Sequence, residues 1–333
     1  MKPILLAAFF LIFCGSIFSI HAQEVGNDEV IKVKTTLVSV PVLVSDRSGR
    51  YIPGMAQNEF ELYQDGIKQT ISFFGTEEEP LNVAILLDTS KSTKDVLGKI
   101  KDAAKNFIKL LQPNDRAMIV TFDFKVNVLA PLSSDRKVLE KAIKNAKVGE
   151  RVGTVMRDAV EEVVNRMFAN VRGRKAIILL TDGKDFGSYS MQEELLDDVE
   201  ESDVMIYSVF YKTGRSFNQR RFDIFNGGIF GRRRGRMGGN FPPRMPNPRR
   251  LDLEKDAIEY LQEMSELTAG RFYEKDVTDL DDAFKLIADE LRKQYRLGFY
   301  PKDSDDSNTV HQLKVKATRP NVVVRSRSTY RAK

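Results

Sequence analysis

The chain has 333 residues, 42% of them hydrophobic. That is enough for a sizeable core and for more than one domain of about 100–200 residues each. Two histidines, one cysteine and no tryptophan leave few nitrogen or sulfur ligands, which argues against a zinc enzyme. The net charge of +5 is local: ten arginines against the single acid Asp223 between Thr213 and Arg250 give +9, leaving the rest of the chain at −4.

At the N-terminus Lys2 precedes an apolar stretch from Ile4 to Ile20, and Ala22 offers a small residue before Gln23. This is the pattern of a cleavable secretory signal over residues 1–22, and predicts a secreted or periplasmic protein. A retained anchor is the alternative, the stretch being near the lower limit of about 17–25 residues for a spanning helix. Leu11-Ile12-Phe13-Cys14-Gly15 resembles a lipoprotein signal, although Phe13 is large where a small residue is needed. Cleavage at Ala22 would leave a mature chain without cysteine, held by packing and by any bound metal rather than by disulfides.

Residues 23–79 read as a β segment. Lys32–Val44 alternates and is rich in β-branched residues, Phe60–Tyr63 is a short strand, and Gln69–Phe74 is another, with turns at Asp46–Gly49 and Asp65-Gly66. From Leu81 the rhythm changes. Buried strands are predicted at Asn82–Leu87, Ala117–Phe122, Lys175–Leu180 and Val204–Phe210. Amphipathic helices are predicted at Lys94–Leu111, Lys137–Ala146, Thr154–Phe168, Met191–Glu201, Lys255–Thr268 and Leu280–Lys293. Near-continuous apolar strands separated by helices imply an α/β, doubly wound, mostly parallel sheet over residues 80–292. Residues 213–250, rich in Gly, Pro, Arg and Asn, interrupt it as a flexible insert. From residue 293 strands return at Tyr295–Tyr300, His311–Ala317 and Val322–Ser326. Neither terminal piece has strands enough alone, so 293–333 is expected to pair with 30–77 in a small β-sandwich-like domain.

The chemistry gathers at strand ends. Asp88, Ser90 and Ser92 follow the first buried strand, Thr154 opens a helix after Gly153, and Asp182 ends a later strand in Thr181-Asp182-Gly183. Ligands of parallel sheets bind outside such carboxyl ends. Hydroxyl and carboxylate oxygens suit a hard divalent cation, Mg²⁺ first, with Mn²⁺ or Ca²⁺ as substitutes. With few formal charges around it, such a cation keeps an open position for a partner's carboxylate. The competing reading has Asp88 and Ser90 capping the helix near Lys94, and Thr154 capping its own. Asp158, Asp123 and Asp185 read as hydrogen-bonding residues of the same rim.

These five residues, in order, resemble the metal-ion-dependent adhesion site of the von Willebrand factor type A domain, Asp-x-Ser-x-Ser followed by a distant Thr and a distant Asp. The resemblance spans roughly Pro80 to Arg292. It implies that Ser90, Ser92 and Thr154 contact Mg²⁺ directly, that Asp88 and Asp182 act largely through water, and that a partner's Asp or Glu completes the shell. The flanking pieces, with Gln64-Asp65-Gly66 before the domain and Tyr295–Tyr300 after it, resemble secreted acidobacterial proteins of this family. The resemblance thus implies a metal-dependent protein-binding or adhesion module.

Two other classes compete with this reading. The run Arg232, Arg233, Arg234 and Arg236 offers guanidinium groups to anionic lipid or acidic polysaccharide, which would make the chain a surface anchor with a mainly structural metal. Arg/Gly tracts also suit single-stranded nucleic acid, a weak partner outside the cytoplasm; the plainest reading is a solvated loop. An enzyme is not expected: the chain has no Gly-x-Gly-x-x-Gly or Gly-x-Ser-x-Gly element, neither Lys91 nor Lys94 lies three residues after a serine, and no general base stands beside the site.

Overall fold

A computed structural model describes residues 37–47, 50–75, 80–213, 248–301 and 309–331, with the side chains of 248–252 left aside. In chain order, β1 (Val38–Ser45), β2 (Phe60–Gln64), β3 (Ile67–Gln69) and β4 (Phe73–Gly75) lead into β5 (Leu81–Asp88). Helix α1 (Leu97–Leu110), the hairpin β6 (Arg116–Phe122) and β7 (Val126–Ser133), and helices α2 (Arg136–Asn145) and α3 (Met156–Glu162) follow. Next come β8 (Arg174–Thr181), α4 (Gln192–Glu201), β9 (Val204–Tyr211), α5 (Pro248–Leu267), β10 (Phe272–Lys275) and α6 (Leu280–Arg292). The chain closes with β11 (Gln294–Phe299), β12 (Val310–Ala317), β13 (Val323–Ser326) and β14 (Thr329–Arg331).

The central sheet has the order β10-β9-β8-β5-β6-β7, parallel throughout except for the antiparallel β6–β7 pair. All eight residues of β5 are buried because helices cover both faces. Alternation along the strand sends Leu81, Val83, Ile85 and Leu87 into one core with α1, α2 and α6, and Ala84 and Leu86 into the other with α3, α4 and α5. Phe107 of α1 meets Phe284 of α6 at 5.4 Å between ring centroids. The α/β doubly wound class expected from the sequence is the fold observed. From β5 the chain first adds strands on one side, β6 and β7, and then on the other, β8 to β10. The reversal makes the β5–β8 boundary the topological switch point, where a crevice opens outside the carboxyl ends.

Several boundaries differ from the sequence reading for local reasons. The first helix begins at Leu97 rather than Lys94, because Lys91–Thr93 form a 3₁₀ turn, with Thr93 Oγ1 donating to the Ser90 carbonyl at 2.8 Å. The Thr154–Phe168 helix is α only over Met156–Glu162 and continues as a π turn, Val163–Met167. Pro248–Arg250, assigned to the flexible insert, belong to α5, with Pro248 at the first helical position where its missing N–H costs nothing. Strand β7 was missed: Pro131 breaks its pattern and is tolerated because β7 is an edge. Strand β10 was also missed, and Gly270 just before it is needed by proximity, since a Cβ there would stand 1.9 Å from the Ile206 carbonyl oxygen.

The terminal strands form two antiparallel sheets, β13-β1-β11-β4 and β14-β12-β2-β3. The strand expected at Gln69–Phe74 is in fact two: β3 pairs with β2, and β4 with β11 in the other sheet, the chain crossing over at residues 70–72. Val40, Val42, Leu297 and Phe299 of one sheet share a core with Phe60, Leu62, Leu313 and Tyr330 of the other. Tyr295 anchors it, accepting a hydrogen bond from Met55 N at 3.0 Å and donating to Ile52 O at 2.9 Å. Arg327, buried, donates to the carbonyls of Glu200 and Ser202 at the end of α4 and of Ser39 in β1, at 3.3, 3.1 and 2.8 Å. Among the described residues no helix is long and apolar enough to cross a membrane.

Candidate metal centre

Asp88 is the last residue of β5 and Asp182 follows the last residue of β8, so the two carboxylates stand at the switch point. Asp88 is 0% exposed. Its Oδ1 accepts from Ser90 N at 2.9 Å, and its Oδ2 from the Thr181 hydroxyl at 3.2 Å. The loop that follows therefore turns back on Asp88, and brings Ser90 Oγ within 2.9 Å of Ser92 Oγ. Two hydroxyl oxygens at that separation can face one point.

Asp182 is buried too. Thr213 Oγ1, two residues beyond β9, donates to its Oδ2 at 3.1 Å, and the Lys184 ammonium group sits on the same oxygen. Gly183, at φ +77°, supplies the left-handed turn that lets the chain reverse there. Thr154 reaches the same rim through the backbone: Thr154 N donates to Phe186 O at 3.2 Å and Phe186 N to Thr154 O at 2.8 Å. The neighbouring loop is tied to the first by Gly149 N donating to Thr89 O at 2.8 Å. Ser90 and Thr154 are 3% and 4% exposed, and Ser92 is half-buried.

The capping alternative fails on geometry. Val96 caps α1 and Val155 caps α3, neither with a side-chain hydrogen bond, so Asp88, Ser90 and Thr154 are not capping those helices. The electrostatics point toward a cation instead. Burial, and then the charge of Asp182, push the Asp88 carboxyl up to about 7. The same two carboxylates, after burial itself, raise the Tyr211 hydroxyl well above its ordinary range. That hydroxyl is buried with no hydrogen-bond partner among the described residues. Two buried acids at one switch point, and hydroxyl oxygens on two loops, fit a hard divalent cation and its waters.

The other rim acids are engaged in loop structure. Asp158 Oδ1 accepts from Ser190 N at 2.9 Å, Asp123 Oδ1 from Lys125 N at 3.2 Å, and Asp185 Oδ2 from Arg157 N at 2.9 Å. Among the described residues no three His, Cys, Asp or Glu side chains gather as a metal centre, so the candidate set depends on its hydroxyls. Arg232, Arg233, Arg234 and Arg236 and the residue 1–22 signal lie outside the described residues. Thr181, Lys184, Thr213 and Tyr211 were not singled out from the sequence. Only the Thr181-Asp182 adjacency carried a signal for any of them.

Residues 83–184 match the family model of the von Willebrand factor type A domain. This chain contains a von Willebrand factor type A domain. The matched span runs from β5 to the turn after Asp182, and holds all five residues of the motif. Among solved structures, the chain is similar to the conserved hypothetical protein BatB from Bacteroides thetaiotaomicron, at 20% identity and TM-score 0.45, covering 64% of this chain and 98% of that one. It is similar to the von Willebrand domain of the type V pili tip protein Mfa5 from Porphyromonas gingivalis, at 13% identity and TM-score 0.42, covering 63% and 94%. It is also similar to proximal thread matrix protein 1 from the mussel byssus, solved with a zinc-occupied MIDAS motif, at 15% identity and TM-score 0.49, covering 69% and 50%. No curated protein matches the chain. Von Willebrand type A domains are typically protein-interaction modules and generally non-enzymatic, and those with a metal-ion-dependent adhesion site bind divalent metals.

Proposed function

We propose that this von Willebrand type A domain is a Mg²⁺-dependent protein-binding module of a secreted or periplasmic protein, and not an enzyme. Ser90, Ser92 and Thr154 would hold the cation by their hydroxyls, with Asp88 and Asp182 behind them. A partner's aspartate or glutamate would take the position left open. When bound, the cation supplies a Lewis-acidic site for that carboxylate.

The observation that carries the reading is the pairing of two buried carboxylates at the β5–β8 switch point, with a Ser90–Ser92 hydroxyl pair that caps no helix. The secreted or periplasmic location rests on Lys2, the apolar stretch and Ala22. The test is calorimetric titration of Mg²⁺ into wild type and Asp88→Ala. Wild type is expected to bind, and the variant to lose binding with its circular dichroism unchanged. Equal affinity in the two proteins would overturn the site. Chelator-resistant partner binding that fades with added salt would instead favour anchoring through Arg232, Arg233, Arg234 and Arg236.

A further inference from the structure

Two loops flank Thr154, and both display large apolar side chains to solvent. Val152 is 63% exposed, Phe186 62%, Tyr189 95% and Met191 63%. Single exposed apolar residues are ordinary, but a cluster at one rim signals an interaction site.

The backbone that carries the Phe186 and Tyr189 side chains is held rather than loose. The loop from Asp185 to Ser190 is bolted to the first turn of α3 by inward-facing polar groups. The Asp185 carboxylate accepts from Arg157 N at 2.9 Å and from Ser188 Oγ at 2.8 Å. The Arg157 guanidinium donates to Ser190 O at 2.9 Å, and Ser190 N donates to Asp158. With the Thr154–Phe186 backbone pair, this fixes the loop at both ends. None of these bonds involves the side chains of Phe186, Tyr189 or Met191. Aromatic groups on a backbone already fixed lose less entropy on contact than those on a loose loop, which suits them as binding anchors.

Exposed cations gather on the side of the rim beside Gly153. Phe124 lies against Gly153, and its ring carries the Arg151 guanidinium at 5.0 Å and the Lys125 ammonium at 5.7 Å. The exposed acids are Glu150 on that side and Glu193 and Glu194 just beyond Met191, while Asp123, Asp158 and Asp185 are occupied by the hydrogen bonds above.

We infer that this rim is a docking surface for an acidic protein segment whose metal-directed Asp or Glu is flanked by large apolar side chains. Phe186, Tyr189, Met191 and Val152 take the apolar flanks, and Lys125 and Arg151 the surrounding acidity. The inference rests on the proposed metal site for the position of the acid, and adds what must lie beside it.

The probe is a pair of fluorescent decapeptides of Gly and Ser around a central Asp, flanked by Phe and Leu in one and by Ser in the other. Polarisation is read on the full chain in Mg²⁺. The apolar-flanked peptide is expected to bind about tenfold tighter, and a Phe186→Ser/Tyr189→Ser variant to lose that preference. The variant's Mg²⁺ affinity is expected to stay at the wild-type value. Equal binding of the two peptides, binding of neither, or a preference that survives the double substitution overturns the docking surface. A preference that survives in EDTA leaves the surface standing and overturns the metal bridge instead.

Discussion

The Thr181 hydroxyl donates to Asp88 Oδ2 at 3.2 Å, across two neighbouring parallel strands and one residue before Asp182. One side chain thus ties together the ends of the two strands that form the crevice. Replacing it by valine keeps the β-branched shape and removes the donor to a buried carboxylate. Thr181→Val is expected to destabilise the metal-free protein by about 1–2 kcal/mol in urea unfolding. It is also expected to weaken Mg²⁺ binding in calorimetry, because Asp88 is less readily ionised. Unchanged values of both would show that the contact does not support the site.

The pH dependence of metal-free stability follows from Asp88. In the folded protein its carboxyl is raised to about 7, by burial first and by the charge of Asp182 second. Between the ordinary aspartate value and that point the folded state holds more protons than the unfolded one, so stability falls as pH rises. In chelator, wild type is expected to lose more stability than Asp88→Asn between about pH 5 and pH 8, because the amide cannot titrate. Parallel pH profiles for the two proteins would contradict this.

Lys184 places its ammonium group on Asp182, with a side chain one-third exposed. An internal cation on that oxygen competes with any metal that Asp182 supports. Lys184→Met is therefore expected to raise Mg²⁺ affinity a few-fold, equivalent to about 1 kcal/mol for a partly exposed pair. Isothermal titration reads this directly, and a weakened affinity would mean that Lys184 assists the site.

Arg327 joins the terminal sheets to the α/β sheet domain through three backbone carbonyls. Its guanidinium is pushed down to about 10 by burial, which leaves it charged at neutral pH. Arg327→Leu strands those carbonyls and is expected to cost about 2–4 kcal/mol in denaturant. If the midpoint does not move, the contact adds no stability.

The sequence alone settled the features that repeat or that lie close together along the chain. Continuous apolar runs such as Asn82–Leu87 and Lys175–Leu180 announce strands buried on both faces, because only a helix-covered sheet can accept them. Asp88, Ser90 and Ser92 share one short loop, so their spacing was legible, and Thr154 and Asp182 could be added because both mark the edges of regular elements. Tertiary structure decided what depends on neighbours distant in sequence. It set the edge position that tolerates Pro131 in β7, and the crossover that splits residues 67–75 between two sheets. It put Thr213 and Lys184 on one oxygen of Asp182, and the hydroxyl of Thr181 on Asp88. It also left Phe186 and Tyr189 facing water, where their apolar character would otherwise have assigned them to a core. Local pattern fixes which face of an element is apolar; only packing determines whether another element arrives to cover it.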